Sequence, residues 1–158
     1  SSIPAWSTTD HTLTHLFYYR HYLRNLTGPE HENLNFQAEL GLSHGPQVNG
    51  EAAFRLGGST SIRGYELNSI QGAAYVQFNM EYLRPLGGHR DWRGVVFVDA
   101  GNAFPSGNDI TLNNLYWSTG LGLRWRLKRF VKVNLRLDYA YAFDTGERKI
   151  YAGTHDTF

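Results

Sequence analysis

Val133-Asn134-Leu135-Arg136-Leu137-Asp138-Tyr139-Ala140-Tyr141-Ala142-Phe143 alternates from end to end. Val133, Leu135, Leu137, Tyr139, Tyr141 and Phe143 share one parity, and Asn134, Arg136 and Asp138 share the other. A period of two places successive side chains on opposite faces of a β-strand. The segment is also long. Soluble strands run to about 5–6 residues, whereas a tilted membrane-crossing strand needs about 9–11. One face carries long apolar and aromatic side chains, and the other carries full charges.

The same pattern recurs outward in both directions. In residues 115–127, Leu121, Leu123, Trp125 and Leu127 oppose Arg124 and Arg126. In residues 73–83, Val76, Phe78, Met80 and Tyr82 oppose Gln77, Asn79 and Glu81. In residues 33–43, Leu34, Phe36, Ala38, Leu40 and Leu42 oppose Asn35, Gln37, Glu39 and Ser43. Residues 93–104 form a strand with less contrast between faces, residues 11–24 an aromatic one of ambiguous facing, and residues 148–158 the last. Turn signals separate them at Gly28-Pro29-Glu30, Arg84-Pro85-Leu86-Gly87-Gly88, Pro105-Ser106-Gly107-Asn108-Asp109 and Asp144-Thr145-Gly146-Glu147. Seven strands result, with residues 1–8 a weak candidate for an eighth. The expected fold is all-β and antiparallel.

Alternation alone leaves two architectures open. In a soluble sandwich the apolar face is the core and the charged face meets water. In a transmembrane β-barrel the apolar face meets lipid and the charged face lines the lumen. Composition does not separate them. The 158 residues suffice for one domain, the 23 aromatic residues would suit an interfacial girdle, and the negative mean hydropathy fits either case. A net charge of +1 offers no whole-chain case for nucleic acid. The absence of cysteine excludes a disulfide scaffold and thiolate metal sites. No apolar run reaches the length of a membrane-spanning helix, and the first residues do not read as a signal peptide. Loop lengths favour the barrel. If the C-terminus is periplasmic, the two longest connections, 44–72 and 105–114, fall on the outer side.

The longest connection, residues 45–72, holds Gly57-Gly58-Ser59-Thr60-Ser61-Ile62-Arg63-Gly64-Tyr65. Irregular segments of that length are usually functional. This stretch resembles the VRGF/VRGY motif of the BamA/TamA outer-membrane assembly superfamily, with Ile62 for valine and Tyr65 for phenylalanine. Asn79-Met80-Glu81-Tyr82 and Val98-Asp99-Ala100-Gly101 are similar to the two strand motifs that follow it there. The end, Gly153-Thr154-His155-Asp156-Thr157-Phe158, resembles the C-terminal strand signal, more loosely because of Asp156.

The resemblance implies a loop folded back into a barrel lumen, with Arg63 of Ile62-Arg63-Gly64-Tyr65 latched onto Glu81 and Asp99. A guanidinium suits that task because its planar fork binds carboxylates bidentately. Gly57, Gly58 and Gly64 would let the loop backbone approach the wall. The resemblance further implies a bacterial outer-membrane protein without enzymatic activity or cofactor. It would insert, assemble or translocate client proteins, with its last strand, including Gly153 and Phe158, forming one side of a weakly paired seam. Family barrels have sixteen strands, so residues 1–158 would be the C-terminal half of a larger barrel, or would pair with a second copy. Outer-membrane lipid and client proteins are the expected partners. A structural or pore-like barrel without insertase activity, and a soluble β-sandwich binding module, are the alternatives.

Other signals carry less. Gly41-Leu42-Ser43-His44-Gly45 matches a nucleophile-elbow pattern, with Asp138 and His155 in chain order, but no helical pattern follows it. His11, His15 and His21 share a strand face, yet a metal site would also need convergence and a second shell. Lys128, Arg129 and Lys132 could touch lipid phosphates or simply solvate a turn. Asn25-Leu26-Thr27 matches a glycosylation acceptor and means nothing in a bacterial envelope protein.

Overall fold

A computed structural model describes residues 13–25, 32–44, 53–87, 89–127 and 133–154. Strands β1 (Leu13–Arg24) and β2 (Asn33–His44) precede a short pair, β3 (Phe54–Leu56) and β4 (Ile70–Gly72). Then follow β5 (Ala74–Leu86), β6 (His89–Phe104), β7 (Tyr116–Leu127), β8 (Val133–Ala142) and β9 (Arg148–Gly153). Seven of these form one antiparallel sheet in the order β1-β2-β5-β6-β7-β8-β9. The only helical element among the described residues is a short 3₁₀ turn at Gly107–Asp109. It is capped by Ser106, whose hydroxyl accepts from the Asn108 N–H.

The expected barrel is not closed among the described residues: β1 and β9 are the two free edges of an open sheet. With seven antiparallel strands, the first and last run in the same direction. Joining them directly would need a parallel seam, so an all-antiparallel closure requires an odd number of further strands.

Two expectations about connections are corrected. The interval 45–72 is not wholly irregular, because β3 and β4 pair inside it as Phe54↔Gly72, Arg55↔Gln71 and Leu56↔Ile70. Three-residue strands are too short for alternation to register. The connection expected over 84–92 is also much tighter. β5 runs through Pro85 to Leu86 and β6 resumes at His89, around Gly87 at φ 58°. The register shifts between Pro85 and Leu86, where a bulge accommodates the missing proline N–H. The long connections, 45–73 and 105–115, thus share one end with 143–147, while the opposite end carries only 25–32, 87–88 and 128–132.

The polarity of the sheet is inverted relative to a soluble protein. Leu121 is 62% exposed, Leu137 49%, Val96 49% and Ile150 71%, all on the apolar face. Gln77, Asn79, Glu81, Asp99, Arg124, Arg136 and Asp138 on the other face are buried. This is the reverse of what a water-soluble sandwich core requires. Outward-facing rings gather at both ends. Trp92 stacks on Trp125 with centroids 4.6 Å apart at one end, and Trp117 and Phe143 are exposed at the other. The eight residue steps from Trp117 to Trp125 span about 27 Å of strand, comparable with the roughly 25 Å lipid-facing band of outer-membrane barrels.

Register with β2 settles the facing of β1. Leu34, Phe36 and Leu40 oppose Leu23, His21 and Phe17, so these lie on the apolar side. Tyr18 and Arg20 lie on the polar side, where both donate to Gln37 Oε1, at 3.1 and 2.8 Å. Ser43 of the nucleophile-elbow pattern sits in β2 opposite Thr14, with its N–H bonded to the Ala73 carbonyl. His15 contacts the ring of His44 and His21 stacks on Tyr19. No metal-ligating cluster occurs among the described residues. The candidate strand at 1–8, His11, the turn at 28–30, Gly45, Lys128, Arg129, Lys132, His155, Asp156 and Phe158 lie outside the described residues.

Candidate functional site: a buried arginine–carboxylate cluster under the loop

The site is built on strand register. Asn79 pairs with Asp99, Glu81 with Phe97, Phe97 with Gly120, and Gly122 with Asp138. Residues two apart on a strand share a face, so Glu81, Asp99, Phe97, Arg124, Arg136 and Asp138 all project to one side. The β7 and β8 positions between them are small: Ser118, Gly120, Gly122, Ala140 and Ala142. They leave a hollow that the loop after β3 fills.

Arg63 is the plug, and it is 0% exposed. Its Nε lies 2.6 Å from Asp99 Oδ2 and its Nη2 2.7 Å from Asp99 Oδ1, a bidentate fork. Its backbone N–H also donates to Asp99 Oδ2 at 3.1 Å. Nη1 donates to Glu81 Oε1 and lies 3.4 Å from Asp138 Oδ2. The guanidinium carbon sits 3.5 Å from the Phe97 ring centroid, a cation–π contact on the face left free by the carboxylates. Burial opposes the charge on Arg63, and the attraction of Asp99, Glu81 and Asp138 outweighs it, so its pKa rises above the ordinary arginine value.

Two more arginines complete the cluster. Arg124 donates to Asp138 Oδ1 and lies 3.2 Å from Glu81 Oε1. Arg136 Nε donates to Asp138 Oδ2 at 2.6 Å, and its Nη2 to the Ser59 carbonyl at 2.8 Å. Three arginines meet three carboxylates, so the cluster is neutral as a unit, as burial demands.

Neutral contacts fix the rest of the loop. Asn79 Nδ2 donates to the Ser61 carbonyl at 2.6 Å and to Asp99 Oδ1 at 2.9 Å. Gly57 N–H donates to Ser61 Oγ at 2.7 Å, closing the loop on itself. Ile62 is fully buried with Leu56, Ile70, Tyr75 and Ala142. Gly64 holds φ 95° against Ala142, where an added Cβ would stand 3.1 Å from the Ala142 nitrogen. The Tyr65 hydroxyl lies 2.7 Å from Asp144 Oδ2 and 3.0 Å from the Trp117 carbonyl oxygen. Burial first, then the Asp144 hydrogen bond, raise the Tyr65 phenol above its ordinary pKa, keeping it a donor.

The structure brings Ile62, Arg63, Gly64, Tyr65, Glu81 and Asp99 together. Gly153 closes the β8 pairing opposite Arg136, and Phe158 is outside the described residues. Asp138, Arg124, Arg136 and Phe97 are additional members. Parity marks the first three as one polar face, and Phe97 lies two residues before Asp99. Nothing in the alternation tells which of the many polar-face residues the loop would reach.

The hollow itself is testable. A Cβ on Gly122 would lie 2.2 Å from Asp138 Oδ1 and 2.8 Å from Arg124 Nη1. Gly122→Ala is therefore expected to cost about 1–3 kcal/mol as an overpacking change. It should appear as a lower urea midpoint with unchanged slope in the folded, vesicle-bound protein.

The chain is thus an all-β protein whose antiparallel sheet has an exposed apolar face, a buried charged face and a loop arginine docked on strand carboxylates. A family model, the Omp85 superfamily domain, matches residues 8–156, and the chain belongs to that superfamily. No curated protein matches it significantly.

Proposed function

We propose that this chain is a membrane-embedded, non-enzymatic part of an outer-membrane barrel that inserts, assembles or translocates client proteins, with Arg63 serving as a latch that docks the loop on the lumen wall. The observation that carries the reading is the inverted polarity of the sheet, combined with the Omp85 superfamily match. Charged groups gather under the loop, and apolar side chains occupy the outer face at lipid-spanning length. Localisation in the bacterial outer membrane and contact with its lipids follow from the same reading.

Client engagement rests on the sheet edges. Among the described residues, β1 and β9 each present an unpaired row of backbone groups, which lipid cannot satisfy. Free edges template strand addition. Completion of the barrel by further strands, from a longer chain or a second copy, is therefore part of the proposal, and the parity of the sheet requires an odd number of them in an all-antiparallel closure.

The test is insertion of a second, unrelated outer-membrane barrel into lipid vesicles. Vesicles preloaded with this protein are expected to accelerate client folding, read by its heat-modifiable gel migration. A folded protein that leaves the client rate unchanged would favour a purely structural barrel.

A further inference from the structure

The loop backbone reaches the last strand at the Tyr151 hydroxyl. Tyr151 of β9 accepts the Gly64 N–H at 2.9 Å and donates to the Tyr65 carbonyl at 3.3 Å. A single side chain thus satisfies a backbone donor and a backbone acceptor beside Arg63. Tyr151 pairs across the sheet with Asp138, so its inward direction follows from the same parity that places the cluster.

β9 is short: it has six residues and, among the described residues, pairs with β8 alone, from Tyr141↔Arg148 to Arg136↔Gly153. Lys149 reaches Glu66 only at 3.9 Å, with Glu66 largely in solvent, a contact of small value. Beyond Tyr151 the loop and strand part. Ser59, Thr60 and Arg136 face Ala152, Gly153 and Thr154 across a cavity of about 320 Å³. Tyr151 is therefore the point at which the loop backbone holds the strand.

We propose that Tyr151 is a positioning residue that couples loop docking to the order of the last strand: while Arg63 is latched, the Gly64–Tyr65 backbone holds β9 through Tyr151, and unlatching frees β9 and its open edge together. The coupling itself rests on geometry. Its consequence, that the latch governs access of a client strand to β9, rests on the function proposed above.

The experiment is hydrogen exchange on the folded full chain in vesicles, without client. Tyr151→Phe removes the hydroxyl and keeps the ring. Two lost hydrogen bonds of about 1 kcal/mol each, partly compensated, predict at least a roughly tenfold faster exchange of the β8-paired amides in Arg148–Gly153. Amides of β5, β6 and β7 are expected to keep their rates. Arg63→Met should deprotect β9 as well, and adding Tyr151→Phe to it should change β9 little further. Unchanged β9 exchange in Tyr151→Phe, equal acceleration throughout the sheet, or fully additive effects would each overturn the coupling. Because no client is present, this result is independent of the insertion assay. A protein without insertase activity can still show the coupling, and an active one can lack it.

Discussion

Replacing Arg63 by methionine is expected to destabilise the folded protein by about 3–5 kcal/mol, the usual cost of removing one partner from a buried ion cluster. Methionine keeps much of the side-chain volume, so the loss is electrostatic. Without Arg63 the cluster holds two arginines and three carboxylates, a net charge of 2 − 3 = −1 in a buried site. The burden falls unevenly. Asp138 retains Arg124 and Arg136, and Glu81 retains Arg124. Asp99 loses both guanidinium bonds of the fork and keeps the Asn79 amide and the backbone N–H of residue 63. Asp99→Asn should therefore couple to Arg63→Met more strongly than Glu81→Gln does. Double-mutant cycles by urea unfolding in vesicles would measure this, with a coupling of about 1–3 kcal/mol for the Asp99 pair. A cycle that closes additively would remove the fork as a source of stability.

Leu121→Arg carries the second large expectation. Leu121 lies midway between Trp117 and Trp125 on the exposed face of β7. If lipid covers that face, an arginine there costs about 2–4 kcal/mol, as at the bilayer midplane of other barrels. If water covers it, a surface substitution of this kind stays within about 0.5 kcal/mol. The same change thus gives two well-separated outcomes, and vesicle folding yield with the urea midpoint reads them. An effect below about 0.5 kcal/mol would exclude a lipid-facing role for this face.

Much of the fold is legible in alternation because each strand is long and two-faced. Residues 133–143 and 73–83 show the pattern cleanly, since every second residue there is apolar. Residues 93–104 show it poorly because Val95, Val96, Phe97 and Val98 are apolar on both faces. The reason lies in the site. Phe97 faces the charged side as the platform beneath the Arg63 guanidinium, so an inward position is aromatic instead of polar. The short strands β3 and β4 escape notice for a different reason, having too few residues for any period.

The candidate site divides along the same line. Arg63, Glu81 and Asp99 can be picked out from local motifs, because each motif is a short run with a recognisable order. Asp138, Arg124 and Arg136 are visible only as charges of the right parity. Their convergence on Arg63 depends on the registers of three separate strand pairs, and register is a nonlocal property that one-residue slips would invert. Tyr151 is further removed still. Its partners are backbone groups of Gly64 and Tyr65, which carry no side-chain signature at all.

The sequence by itself determined that this protein is antiparallel β and that its strands are long enough for lipid, while the matching of one arginine in its longest connection to two strand carboxylates came from the family resemblance. It could not say which face is outside, because a period of two is the same in a soluble sandwich and a membrane barrel. Only the tertiary structure decided that. The loop between β2 and β5 covers the charged face and leaves the apolar face bare. A buried neutral cluster of three arginines and three carboxylates is stable only when all six are brought together at once.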